Sequence, residues 1–595
     1  MSGAQGSAVR LSVGLCLLIG LLEGCATGGQ AALSSNTRQE GCEGGNAESC
    51  VSVAAQNTEG RGVPQDARQA AEFFEKACTG GVAEGCFNLG LLYGKGHGVP
   101  QDERRAAALY EQACTGGAAE GCNSLGIRYA KGSGVPQDER RAAALYEQAC
   151  TGGSAMGCAN LGLSYAKGSG VPQDDLRTAE LFEKACTGGA ATGCFGLGVQ
   201  HETGFGVPQD ARRAAALYEQ ACMGGMAMGC FNLGLLHDNG SGVTQDPRRA
   251  AALYEQACTG GEAKGCFNLG LLHEQGRGVT QDPRRAAARY EQACTGGEAK
   301  GCFNLGLLHD EGRGVTQDVR RAAALYEQAC TGGMATGCFS LGLSYVKGSG
   351  VPQDARRAAA LLEQACAGGM ATGCNSLGAR YANGSGVPQD WRRAAELFEK
   401  ACTGGFAEGC FNLGLQHEKG HGVPQDERRA AGLYEQACTG GVAKGCNSLA
   451  VLIDNGHGVP QDARRAAELF EKACSSGAVT ACFNLGLFYG KGRGVSQDER
   501  RAAALQEQAC TGGMAMGCNS LGIHYAKGSG VPPDGRRAAE FFEKACTMGA
   551  AQGCFNLGLL YKQVQGRGAP EAASLASAYF GKACRAGLSA ACDQQ

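Results

Sequence analysis

Cysteine is the residue whose type and spacing in this chain can do chemistry. Of 34 cysteines, 32 fall into sixteen Cys-x7-Cys pairs. They are Cys42 with Cys50, Cys78 with Cys86, Cys114 with Cys122, Cys150 with Cys158, Cys186 with Cys194, Cys222 with Cys230, Cys258 with Cys266, Cys294 with Cys302, Cys330 with Cys338, Cys366 with Cys374, Cys402 with Cys410, Cys438 with Cys446, Cys474 with Cys482, Cys510 with Cys518, Cys546 with Cys554 and Cys584 with Cys592. All but the last follow a step of 36 residues, and the last stands two residues late. Paired thiols on a fixed period point to one disulfide per unit and therefore to an oxidising compartment. Zinc chemistry fits poorly, because x7 is longer than the two to four residues that separate ligands in zinc motifs.

The elements that must position these thiols follow from one unit, Gly85 to Gly117. Cys86, Leu89, Gly90 and Tyr93 fall at i, i+3, i+4 and i+7, the stripe of a helix. Gly96-x-Gly98-Val99-Pro100 breaks it. Asp102 stands at an N-cap position, and Ala106, Leu109, Tyr110, Ala113 and Cys114 trace a second stripe closed by Thr115-Gly116-Gly117. Gly90 recurs as Gly126, Gly162 and Gly198, with Ala450 as an exception, so two backbones are expected to touch there. Within one helix, residues eight apart lie about 12 Å apart, too far for a disulfide. Folding back through Thr79-Gly80-Gly81 brings Cys78 and Cys86 into range, so each bond joins one unit to the next. Pairings crossed between units remain open on spacing alone. A period of this length marks a solenoid of stacked helix pairs.

Composition agrees with that architecture. Aromatic residues are only 6% while glycine numbers 99, which suits closely packed short helices. A net charge of −3 offers no electrostatic case for nucleic acid or an anionic membrane surface.

The amino terminus reads separately. Arg10 precedes an apolar run from Leu11 to Leu22, the length of a secretory h-region and too short to span a bilayer. The run ends Leu22-Glu23-Gly24-Cys25, which resembles a bacterial lipoprotein box, with Glu23 departing from it. Cys16 and Cys25 are the two cysteines outside the pairs. Cleavage would remove Cys16, and Cys25 would carry lipid and anchor the chain. Ala26 after the cysteine implies the outer membrane. The alternative is an ordinary signal cut later, before Ser34-Ser35.

Leu89-Gly90, Tyr93, Gly96, Gly98-Val99, Asp102, Ala106, Tyr110 and Ala113 together resemble the Sel-one-like repeat, a relative of the tetratricopeptide repeat. The added cysteine pairs resemble its secreted, cysteine-rich (Hcp-type) bacterial branch. The resemblance covers residues 42 to 592. The expected fold is all-α, an α/α solenoid winding as a right-handed superhelix of about fifteen 36-residue helix-turn-helix repeats with one disulfide each. The expected organisation is a signal segment with its lipoprotein-like box at 1–25, a linker at 26–41 and a continuous solenoid at 42–592, capped by its last unit, 555–592. For function the resemblance implies a scaffold binding proteins or peptides along a concave face lined by the first helices.

On that geometry, variable columns beside the constant stripe carry recognition. The candidates are Leu92, Arg128, Ser164, Gln200, Arg380, Gln416, Phe488 and His524 from one column. Asn88 joins them, as an asparagine able to hydrogen-bond a ligand backbone. A second column alternates Phe87, Asn123 and Phe195. The competing reading is that the aromatic residues pack between helices and the variable column is merely solvated. His201, His237, His273, His309 and His417 replace Tyr93 in its column. Stacked repeats hold such residues about 9–10 Å apart, so the reading is a packing ladder rather than a metal site.

The Hcp-type resemblance also raises a β-lactam-binding or β-lactamase-like hydrolase. Ser164-x-x-Lys167 and Ser344-x-x-Lys347 match its nucleophile motif, without accompanying Ser-Asp-Asn or Lys-Thr-Gly. A third alternative is a mainly structural envelope spacer. No catalytic residue, metal or cofactor is assigned. The expected address is across the inner membrane of a bacterium, in the periplasm or on the outer membrane, with contact to lipid only through Cys25.

Overall fold

The computed structural model describes residues 35–60, 65–565 and 571–594. The signal segment at 1–25, Cys25 and the linker up to 34 lie outside the described residues. Thirty-two helices and no strand occur among the described residues, and none of these helices is long and apolar enough to cross a membrane. The chain divides into two compact units, one ending at Glu298 and the other starting at Ala299.

The first unit opens with Ser35–Glu43 and continues as seven helix pairs, from Ala47–Glu59 with Ala67–Thr79 to Ala263–Gln275 with Pro283–Thr295. The second holds eight pairs, from Ala299–Glu311 with Val319–Thr331 to Ala551–Gln565 with Glu571–Arg585, and ends in Ser589–Cys592. Each unit is thus a stack of helix-turn-helix repeats, with every helix packed between its sequence neighbours. Ala119–Lys131 also touches Ala155–Lys167, so first helices of successive repeats approach one another.

Local chemistry explains the boundaries. Asp102 Oδ1 accepts from the Arg105 amide at 3.0 Å and caps the second helix, Glu103–Thr115. The first helix, Ala83–Lys95, ends on Gly96 at φ 70°, a left-handed conformation that needs no Cβ. Gly98 (φ 71°) serves a further purpose. A Cβ there would stand 2.2 Å from the Ala67 carbonyl oxygen, so the loop lies directly on the preceding second helix.

Each repeat buries one large side chain at its centre, most often an aromatic ring. Tyr110, Tyr218 and Tyr254 are almost wholly buried, among alanines such as Ala106 and Ala113. Phe87 tilts against Tyr110 with ring centroids 6.0 Å apart, and Phe195 against Tyr218 at 5.7 Å. Small alanines and glycines let helices close around these rings, which is how a chain poor in aromatics fills its cores.

The disulfides are local, each closing one Cys-x7-Cys loop rather than crossing between loops. In the first unit Cys42 bonds Cys50, Cys78 bonds Cys86, Cys114 bonds Cys122 and Cys150 bonds Cys158. Cys186 bonds Cys194, Cys222 bonds Cys230 and Cys258 bonds Cys266 in the same way. In the second unit the bonds are Cys330 to Cys338, Cys366 to Cys374, Cys402 to Cys410 and Cys438 to Cys446. They continue with Cys474 to Cys482, Cys510 to Cys518, Cys546 to Cys554 and Cys584 to Cys592. Cys294 and Cys302 are disulfide-bonded as well.

The Cα separations of these bonds run from 4.4 Å at Cys510 to 4.9 Å at Cys584. The turn after each second helix brings its last cysteine back onto the start of the next first helix, where only the local partner is in reach. In thirteen of the sixteen joints a glycine precedes the second cysteine and lies close against the preceding helix, with Ser49, Ala481 and Ala591 in the other three. A Cβ on Gly85 would lie 2.6 Å from Ala77 Cβ and 2.9 Å from the Cys78 amide nitrogen.

Charge decorates the exposed side of the second helices. Arg105 reaches Glu75 at 3.0 Å, Arg141 reaches Glu111 at 3.3 Å, and Arg213 reaches Glu183 at 3.2 Å. These half-exposed rungs contribute about 0–1 kcal/mol each. In the last pair both helices reach 15 residues. Tyr561 stacks on Tyr579 with centroids 5.8 Å apart.

Candidate partner-binding face of the first helices

The rotation of each first helix decides which columns meet solvent. In Ala83–Lys95, Gly85, Cys86, Leu89, Gly90 and Leu92 are buried, Glu84 and Lys95 are exposed, and Asn88 and Leu91 are half-buried. The open side therefore runs through positions 84, 88, 91 and 95, at i, i+4, i+7 and i+11.

The variable column does not lie on that side. Leu92, Ser164, Gln200, Gln416 and Phe488 are all buried. The polar members bond within the stack instead, several of them toward the start of the preceding second helix. Arg128 pairs with Glu103 and lies over the Tyr110 ring, its Cζ 5.7 Å from the centroid. Gln200 Nε2 donates to the Asp175 carbonyl at 3.2 Å. His524 Nδ1 lies 2.8 Å from the Ser529 carbonyl and 3.7 Å from Glu499 Oε2. Arg380 donates to Ser385 Oγ at 3.1 Å, and burial holds its guanidinium below its usual pKa. The physical reason is helical spacing: position 92 follows 85 and 89 by seven and three residues, so it shares their inward stripe. Its changing chemistry fits the neighbouring repeat.

Asn88 and its equivalents do reach the open side. Where the adjoining column carries asparagine instead of phenylalanine, the two columns bond between repeats. Asn160 Nδ2 donates to Asn123 Oδ1, Asn412 to Asn375 and Asn556 to Asn519, each at 2.8 Å. Beside them runs an aliphatic column. In the first unit it is Leu91, Ile127, Leu163, Val199, Leu235 and Leu271, half-buried apart from Leu163, which is 42% exposed. Sequence reasoning passed over this column because its residues hardly vary. The available signal was an aliphatic residue recurring off the stripe of Cys86, Leu89, Gly90 and Tyr93.

The other singled-out side chains serve their own repeats. His201 Nδ1 lies 3.2 Å from the Pro208 carbonyl, His237 3.4 Å from Thr244 and His417 3.3 Å from Pro424, which ties each helix to its following loop. Ser164 and Ser344 donate their hydroxyls to the carbonyls four residues back, Asn160 and Ser340, each at 3.1 Å. That is ordinary back-bonding within a helix.

The model of the Sel1 repeat matches fifteen stretches of the chain, beginning at 48–82, 83–117 and 119–154 and ending at 515–549 and 551–588. Among solved structures, the chain is similar to c5321, a protective antigen of uropathogenic Escherichia coli strains displaying an SLR fold. The two share 27% identity with a TM-score of 0.66, over 76% of this chain and 97% of that one. Cysteine-rich protein B of Helicobacter pylori shares 33% identity over 22% of this chain and 96% of its own, with a TM-score of 0.20. Among curated proteins no relative matches the chain. With its helix pairs and stapled joints in register with those fifteen matches, the chain belongs to the Sel1 repeat family.

Proposed function

We propose that this protein is an extracytoplasmic scaffold that binds extended segments of partner proteins along the open side of its first helices. The carrying observation is the pairing of two columns there: amides at Asn88 and Asn160, and partly exposed aliphatic side chains at Leu91, Ile127 and Leu163. An extended chain needs both, because its backbone seeks hydrogen bonds while alternate side chains seek apolar contact. The recurring disulfides support an oxidising address. The signal segment and a lipid on Cys25 belong to the same reading, and the intact mass of protein from its own envelope tests them.

Photo-crosslinking tests the binding face. A benzophenone amino acid at Ile127 or Leu163 should capture envelope proteins. One at Ala144, on the exposed side of a second helix, should not. Equal capture from all three positions would sink the assignment of the face. Capture at Ile127 should also disappear in an Asn160→Ala, Leu163→Glu background.

A further inference from the structure

One second helix carries a residue that departs from its column. Leu109, Leu181, Leu217 and Leu253 occupy equivalent places and are buried; the next residue in that column is Arg289. A guanidinium is not left unpaired among apolar side chains. Arg289 swings outward, placing Nη2 2.6 Å from Glu255 Oε1 and Nη1 3.0 Å from Gln292 Oε1. Its side chain leaves the seat that leucine takes elsewhere. A groove of about 730 Å³ lies there, between the helices Pro247–Thr259 and Pro283–Thr295. Its floor includes buried Leu269 and His273.

The same substitution rewires the surface charges. At the preceding rung, Arg249 reaches Glu219 at 2.6 Å, as Arg213 reaches Glu183. The counterpart of these arginines is Arg285, and the glutamate it would meet, Glu255, is engaged by Arg289. Arg285 contacts Asp282 instead, Nε to Oδ2 at 3.5 Å, and its side chain is 71% exposed. Asp282 is already committed, since its Oδ1 accepts the Arg284 and Arg285 amides as the helix cap. Arg248 stands exposed on the facing rim. Three guanidinium groups thus border the groove, with Glu255 the one carboxylate in its lining.

We infer that this groove is a binding site for a small organic anion, an apolar body carrying a carboxylate or phosphate head. Arg285 and Arg248 hold the head, because guanidinium forks match the oxygens of either group and bond them in pairs. Leu269, Val279 and the alanines of the two second helices receive the body. The site lies between two second helices, over the inward side of the first helix Ala263–Gln275, and apart from the open side of the first helices.

The test is calorimetric titration of the full-length protein with phenyl phosphate and with benzoate, alongside inorganic phosphate and benzyl alcohol as half-ligands. One of the two aryl anions should bind at a single site, roughly tenfold or more tighter than either half-ligand. Which aryl anion binds tighter identifies the head. Arg289→Leu should weaken that binding by about tenfold or more, by refilling the seat and returning Glu255 to Arg285. Leucine is the usual residue of this column, so the variant keeps its fold, as circular dichroism will verify. Arg429→Ala, on the rung where the partner is Glu399, should leave binding unchanged. Absence of saturable binding, no gain over the half-ligands, undiminished binding by Arg289→Leu, or equal weakening by Arg429→Ala each overturns the site.

Discussion

Gly90 lies against the ring of Tyr110 so closely that a Cβ on it would stand 2.8 Å from Cε1 and 2.9 Å from Cδ1. The relationship repeats at Gly126 with Tyr146 and at Gly234 with Tyr254, each at 2.7 Å. A glycine within a helix costs about 1 kcal/mol relative to alanine, and in these repeats the partner it meets is a rigid ring rather than a flexible side-chain end. Ala450 stands in place of this glycine. It shares its core with Phe470, whose ring stands edge-on to Phe488 at 74° and 5.2 Å.

Gly126→Ala is therefore expected to destabilise by about 1–3 kcal/mol, the cost of overpacking outweighing the gain in helix propensity. Gly432→Ala should act oppositely. Beyond its own helix backbone nothing lies within 4 Å of a Cβ placed there, so about 0.5–1 kcal/mol of stabilisation follows. Urea unfolding of the two variants checks both signs.

Removing one staple should loosen one joint. Cys258→Ala with Cys266→Ala opens a loop whose closure contributes about 2–3 kcal/mol by the chain-entropy model. Repeats interact chiefly with their neighbours. Hydrogen exchange should accordingly rise in Ala263–Gln275 and its neighbours, while Ala83–Lys95 stays protected. Uniform loss of protection would contradict that locality.

Acid and alkali should each destabilise the fold through a different column. Asp210, Asp246, Asp282 and Asp318 are held below the usual carboxylate pKa, chiefly by the backbone amide three residues on. A depressed folded pKa means that their contribution is complete above about pH 4 and drains away as pH falls further. Asp246→Asn, which still caps but does not titrate, should flatten this acid limb in thermal melts. At the other end, burial pushes the Tyr146 hydroxyl up to about 12. A raised folded pKa gives a contribution that is complete below about pH 10 and lost toward 12. Tyr146→Phe should remove that share of the alkaline limb, since Phe182 and Phe398 already fill the same column.

The asparagine bond between repeats should be measurable. Asn519 is 3% exposed and accepts from Asn556 Nδ2 at 2.8 Å. Asn519→Ala deprives that amide of its acceptor and should cost about 1–3 kcal/mol. A double-mutant cycle with Asn556→Ala isolates the coupling.

From the sequence alone came the repeat, its two helices, the Asp102 cap and the expectation of one disulfide per repeat. These depend on short-range chemistry: a cap acts over three residues, a glycine stop over one, and a disulfide loop such as Cys78 to Cys86 over eight. Recognition columns depend on something else. Leu91 and Leu92 are adjacent and equally apolar, and about 100° of helical rotation separates them. Which of the two faces outward is decided by where the preceding second helix seats, as the contacts of Arg128 with Glu103 and of Gln200 with the Asp175 carbonyl record. Arg289 makes the same point at a single residue. In the sequence it is one change in a leucine column; only packing turns it into an open groove, because the consequence lies in the carboxylate it takes from Arg285.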